Sequence, residues 1–143
     1  MTDNKVPPPT MRVSATLDNL SVIRSFVEET ATNLKVDPDI IYEIVFAVNE
    51  LTTNIIVHGY QGKHGIIEVD VVQDADCLLI HIVDQAPAFD PTTFPTPDLS
   101  LPLAMRPMGG LGIFLTNHYV DEIIYSAPSQ GGNHITLVKK CIP

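Results

Sequence analysis

The sequence predicts an α+β fold: a two-layer sandwich in which a mixed, mostly antiparallel sheet carries helices on one face. Three observations lead there. Hydrophobic residues make up 45% of a 143-residue chain, enough for one buried core and too short a chain for two. The order of patterns is β-α-α-β-β-loop-α-β-β, and its last four strands fall into two hairpins, which makes neighbours antiparallel. The twelve prolines are clustered, three at residues 7–9 and six between Pro87 and Pro107. That clustering marks a flexible tail over residues 1–9 and one long irregular segment inside a single domain of residues 10–143.

Each element has its own signal. Residues 10–16 alternate and suit a short strand. Residues 17–34 carry Leu20, Ile23, Val27 and Leu34 at helical spacing. Asp37 then offers an N-cap with Pro38 in the first helical position, opening a long helix to about His58, with Gly59 as its C-cap. Residues 66–73 and 77–84 are β-rich runs joined by Asp74, Ala75 and Asp76. Residues 85–108 have neither helical nor strand period and are read as a Pro-rich lid. Residues 112–120 form a short helix. Residues 121–127 and 133–140 make the second hairpin, around Ser129, Gln130, Gly131 and Gly132. No internal repeat is visible.

Composition excludes several functions. Eight basic against 17 acidic residues leave a net charge of −9, so neither a nucleic acid nor an anionic membrane is expected as partner. Cys77 and Cys141 lack any metal-type spacing and read as reduced thiols of a cytoplasmic protein, a single disulfide being the other option. The start has no apolar leader, and no apolar run approaches the ~18 residues of a membrane span.

Candidate chemistry gathers in three places. On the second helix Glu43, Ala47, Glu50, Asn54 and His58 share one arc beside the buried stripe of Ile41, Ile44, Val48, Leu51 and Ile55. Such an arc suits a solvated helix margin, or a ligand-facing row with a carboxylate to take a proton and an amide oxygen to hold a hard cation. Gly109, Gly110, Leu111 and Gly112 lead into a short helix, as a lid hinge or as a phosphate-binding N-terminus; no Walker-type lysine follows. Asp84 ends an apolar strand beside the lid, where a carboxylate binds a ligand or caps a turn. His81 falls on the outer face of that strand, and the remaining histidines have no partner at metal-ligand spacing.

Together these pieces resemble a known family. Glu50-Leu-Thr-Thr-Asn54 with His58-Gly59-Tyr60 resembles the N-box of the GHKL superfamily, which holds gyrase, heat-shock chaperone, histidine kinase and mismatch-repair ATPases. Asp84 through Pro91 resembles its first glycine box, and Gly109-Gly110-Leu111-Gly112 its second. The small size and the run from Arg106 to Gly112 are similar to the anti-sigma-factor serine/threonine kinases. The resemblance implies the histidine-kinase-like ATPase fold, with residues 85–108 as the ATP lid, and binding of ATP with Mg²⁺. It makes Asn54 the Mg²⁺ ligand, Glu50 the general base toward a serine or threonine hydroxyl, and Asp84 the partner of the adenine amine. Ala88, Gly109, Gly110, Leu111 and Gly112 become nucleotide contacts, with Arg106 on a phosphate and Thr136 near the adenine.

One departure stands out: Ala86 and Ala88 occupy the two glycine positions of the first box. If those positions need positive φ, each alanine costs on the order of 1 kcal/mol; otherwise the chain turns differently there. The resemblance implies a cytoplasmic anti-sigma factor that phosphorylates a STAS-type antagonist, binds a sigma factor and forms a homodimer. Two other functions fit the residues: a nucleotide-gated binding module without kinase activity, and a scaffold that binds no nucleotide.

Overall fold

A computed structural model of the chain describes residues 8–93 and 110–141. Its elements are β1 (Thr10–Ser14), a 3-10 turn (Leu17–Asn19), α1 (Leu20–Asn33), α2 (Pro38–Asn54) and a π turn (Ile55–Tyr60) that continues α2. There follow β2 (Ile66–Asp74), β3 (Cys77–Asp84), a second 3-10 turn (Pro91–Thr93), α3 (Gly110–Tyr119), β4 (Glu122–Ser126) and β5 (Asn133–Lys140). The strands lie in the order β1-β2-β3-β5-β4, and every neighbouring pair is antiparallel. The expected mixed sheet is thus antiparallel throughout. The expected tail falls mostly on residues 1–7 and the larger, latter part of the expected lid on residues 94–108, both outside the described residues.

Strand alternation decides which face is buried. On the inner face stand Ile67, Val69 and Val71 of β2, Leu78, Ile80 and Ile82 of β3, and Ile135 and Leu137 of β5. Ile23, Val27 and Ala31 of α1 and Ile44, Val48 and Leu51 of α2 close over them in the same buried cluster. Ile80 is fully buried at the middle of the central strand. Truncating it to alanine is expected to cost about 2–5 kcal/mol, measured by chemical denaturation, because the rigid sheet cannot collapse into the void.

The second helix starts as its sequence dictates and ends differently. Asp37 Oδ1 accepts the Asp39 N–H at 2.8 Å, and Pro38 occupies the first turn. At the other end regular α geometry stops at Asn54, where the expected helix ran on to His58. Thr52 and Thr53 return their hydroxyls to the carbonyls of Val48 and Asn49, a pattern that bends helices. Beyond them the backbone widens into the π turn, a feature that concentrates at functional sites. Gln61, at φ 54°, takes the left-handed position expected for Gly59. Gly59 is instead a close-approach residue, since a Cβ there would lie 3.1 Å from Ala86 Cβ.

The continuous helix Pro38–Tyr60 has 23 residues and holds an 18-residue window with a mean hydropathy of 1.5, long and apolar enough to cross a membrane by length and composition alone, although Asp39, Glu43 and Glu50 interrupt any apolar run. Half of that window is buried within the protein. Its apolar stripe belongs to the same core as the sheet's inner face, which accounts for the composition without lipid.

Candidate functional site

Asp84 closes β3 on the inner face, two residues beyond Ile82, so strand alternation carries a carboxylate into the buried layer. The residue is 1% exposed. Its Oδ1 accepts two hydrogen bonds, from the Ala86 N–H and from Asn133 Nδ2, both 2.8 Å. Its Oδ2 is buried and has no partner among the described residues. Burial pushes the carboxyl pKa above its ordinary range, and the bonds from Asn133 and the Ala86 N–H pull it part of the way back. One oxygen saturated and one open, away from water, make an acceptor waiting for a single N–H donor.

Asn133 faces Asp84 across the β3–β5 pairing. Besides Asp84, its amide nitrogen donates to the carbonyls of Pro87 and Ala86 at 3.2 and 3.3 Å. Its Oδ1 accepts the Phe89 N–H at 2.8 Å and the Tyr125 hydroxyl at 2.7 Å. Gly132 makes this approach possible. It sits at φ +87°, and a Cβ there would come within 2.2 Å of the Asp84 carbonyl oxygen. From the other side the Tyr60 hydroxyl accepts the Gln85 N–H at 2.8 Å and donates to the Ile66 carbonyl at 2.7 Å. Residues 84–89 are therefore tied to two other segments, β5 through Asn133 and the π turn through Tyr60.

Ala86 is buried against Gly59, and Ala88 is exposed. Neither has positive φ, so the strain that glycine would relieve does not arise and the chain turns without it. The π turn and residues 85–89 border a cleft of about 350 Å³, lined by His58, Lys63, His64, Ala86, Ala88 and Phe89. A roomier groove of about 570 Å³ lies elsewhere, between α1 and α2 around Arg24, Tyr42 and Phe46.

Glu50 and Asn54 stand one turn apart on α2. Glu50 is half-buried with no hydrogen bond or ion pair among the described residues. Asn54 is 8% exposed, and its Nδ2 is buried without a partner. A buried amide left open at the end of a regular helix is unusual enough to mark a ligand position. The open atom is the donor Nδ2, which suits a ligand oxygen such as a phosphate's, and only the other end of the amide, Oδ1, has the chemistry to hold a hard cation. Glu43, on the same arc, is spent structurally: Lys139 Nζ reaches its Oε2 at 3.4 Å and donates to the Tyr119 carbonyl that ends α3.

Gly110, Leu111 and Gly112 form the first turn of α3, which starts earlier than the pattern suggests. First-turn N–H groups have no partner within their helix and are free to meet an anion. Arg106 and Gly109 lie outside the described residues. Thr136 requires a correction. It is three residues from Asn133 in β5, so it faces the opposite side of the sheet from Asp84. There its hydroxyl lies 3.1 Å from His81 Nδ1, which also contacts His134 Nε2 at 3.0 Å. His81 is on the outer face, as alternation predicts.

Sequence reasoning missed Asn133, Tyr60 and Tyr125. Gly131, Gly132 and Asn133 read as a hairpin turn. The available signal was an asparagine directly after two glycines, opening a strand.

Comparison with known proteins follows the same lines. The chain is similar to the anti-sigma F factor of Clostridium acetobutylicum, 26% identical over 147 residues, covering 98% of this chain and 96% of that protein. It is 25% identical over 135 residues to the serine/threonine-protein kinase BtrW of Bordetella bronchiseptica, covering 94% of each. It is 28% identical over 117 residues to the serine-protein kinase RsbW of Bacillus cereus strain Q1, covering 79% of this chain and 73% of that one. In fold it resembles the crystal structure of the RsbU and RsbW domains of Rv1364c from Mycobacterium tuberculosis, with a TM-score of 0.65 at 19% identity. That match covers 94% of this chain and 32% of the other, so the chain spans about a third of that structure. The histidine kinase-like ATPase domain model matches residues 13–139, and the chain belongs to that family.

Proposed function

We propose that this protein is an ATP-dependent serine/threonine protein kinase that acts as an anti-sigma factor, phosphorylating a STAS-type antagonist in a partner-switching circuit. The observation that carries the reading is the pair of buried, unpartnered polar atoms, Asp84 Oδ2 and Asn54 Nδ2, on two of the boxes that the family shares. The names of the three relatives, an anti-sigma F factor, a serine/threonine-protein kinase and a serine-protein kinase, support the kinase activity and the anti-sigma setting; the STAS-type antagonist is part of the proposal.

Each residue has a task in this reading. Asp84 Oδ2 accepts a hydrogen bond from the exocyclic amine of adenine, and residues 86–88 lie along the base. The first-turn N–H groups of α3, with Gly109 and Arg106, hold the phosphates. Asn54 would hold Mg²⁺ through Oδ1, and the ion would supply charge neutralisation for the phosphoryl group in transfer. Glu50 takes the proton from the attacking hydroxyl as the new O–P bond forms and the bond to the β-phosphate oxygen breaks, releasing ADP. Fixed N–H dipoles and one cation explain how an acidic chain binds a polyanion without a basic patch. Thr136 has no part in this site. The protein works in the cytoplasm as a homodimer, with a sigma factor and the antagonist as alternating partners.

The direct test incubates the protein with Mg²⁺, ATP and a STAS-domain antagonist, and counts phosphate on the antagonist by mass spectrometry. One phosphate per antagonist on a serine or threonine is expected. ATP binding without any transfer would replace the kinase by a nucleotide-gated binding module.

A further inference from the structure

Asn133 does more than close a turn. Its side chain is 3% exposed, and both ends of its amide are fully used. The nitrogen ties the end of β3 to the loop after it, and the oxygen ties that loop to Tyr125 on β4. We propose that Asn133 is the positioning residue that sets base selectivity, by saturating Asp84 Oδ1 so that only Oδ2 is presented to the nucleotide. The proposal rests on the nucleotide-site reading above and goes one step beyond it.

The chemistry runs through the two oxygens of Asp84. With Oδ1 taken by the Asn133 amide and the Ala86 N–H, the carboxylate cannot rotate without leaving two donors unpaired. Oδ2 then offers an acceptor and nothing else. A purine with an amine at position 6 satisfies it, whereas a carbonyl at that position sets acceptor against acceptor. Asn133 also favours the ionised form of Asp84 against burial. Without it the carboxyl protonates more readily, and a protonated Oδ2 donates to a carbonyl as well as it once accepted from an amine.

The same contacts explain how the alanine-bearing box keeps its shape. Asn133 holds the Ala86 and Pro87 carbonyls and the Phe89 N–H directly, so the turn is fixed from the neighbouring strand rather than by glycine conformations. Other titratable groups near the site are the Tyr60 and Tyr125 hydroxyls, with His58, Lys63 and His64 along the cleft. The groups that set the Asp84 titration are its burial, Asn133 and the Ala86 N–H.

The test is calorimetric titration with MgATP and MgGTP over a range of pH, on the parent, Asn133→Ala and Tyr125→Phe, with thermal melts alongside. The parent is expected to prefer ATP. Asn133→Ala is expected to lose about tenfold in ATP affinity, to lose most of the preference over GTP, and to start losing ATP binding at a higher pH. Tyr125→Phe, which leaves the bond to Asp84 in place, shifts all three the same way by about two- to threefold and reports even if Asn133→Ala does not fold. If Asn133→Ala or Tyr125→Phe only melts earlier, with the ATP preference and pH profile of the parent, the positioning role is wrong. In that case, loss of ATP binding in Asp84→Asn would leave the nucleotide site standing. A parent that binds neither nucleotide overturns both.

Discussion

Replacing Glu50 with glutamine is expected to lower phosphoryl transfer to the antagonist by about 10²–10⁴-fold, the range of a positioned general base. ATP affinity should stay within about twofold, because an interaction that matters only during the reaction leaves ground-state binding alone. The substitution is isosteric, and Glu50 is half-buried with no hydrogen bond or ion pair among the described residues, so the fold loses no contact. Its neighbour Glu43 is the control: it meets Lys139 at 3.4 Å, so its loss acts on the packing of α3 rather than on a proton. Single-turnover transfer with saturating ATP makes the measurement. A parental rate in Glu50→Gln would return that carboxylate to a solvated helix margin.

Replacing Asp84 with asparagine is expected to cost about 100-fold or more in ATP affinity, read by calorimetry. The Ala86 N–H and Asn133 Nδ2 both donate toward the Oδ1 position, so they draw the amide oxygen there. The new NH₂ takes the place of Oδ2 and meets the adenine amine donor to donor. The pH dependence follows from the same residue. Its folded pKa is raised above its ordinary value of 3.8, chiefly by burial. The fold thus favours the protonated form, and the associated stability is fully present below the unfolded pKa and lost as pH rises through the folded one. ATP affinity moves the opposite way, falling as pH drops through the folded pKa, because the proton occupies the acceptor that the base needs. Thermal melts of the parent and Asp84→Asn, with and without ATP across that window, separate the two slopes. Equal slopes in both proteins would mean that Asp84 does not carry them.

Much of this was legible in the sequence because it depends on local periodicity. The bounds of β3 and β5 follow from β-rich runs closed off by turn residues, and Asp37 with Pro38 announces the start of α2. Asp84 could be marked because a carboxylate at the end of an apolar strand is locally anomalous. What stayed hidden depends on register between distant segments. Asn133 meets Asp84 across 49 residues of sequence, and its one local signal, its place after two glycines at the start of a strand, does not say which residue it faces. Thr136 illustrates the cost of an odd offset: three residues from Asn133 along a strand of period two, it lands on the wrong face. The π turn was invisible because the helical pattern of α2 runs straight through it, while the bonds from Thr52 and Thr53 compete with the helix only once it has formed. The departure at Ala86 and Ala88 looked costly only while their backbone angles were unknown.

The most direct test of the central claim, that Asp84 and Asn54 frame a nucleotide site, is calorimetric titration of ATP with and without Mg²⁺ on the parent and on Asn54→Ala. The account predicts binding by the parent that Mg²⁺ strengthens, and in Asn54→Ala a loss of about tenfold or more confined to the Mg²⁺-dependent part. Absence of binding by the parent at millimolar ATP, or Mg²⁺-dependent binding that Asn54→Ala leaves unchanged, would contradict it.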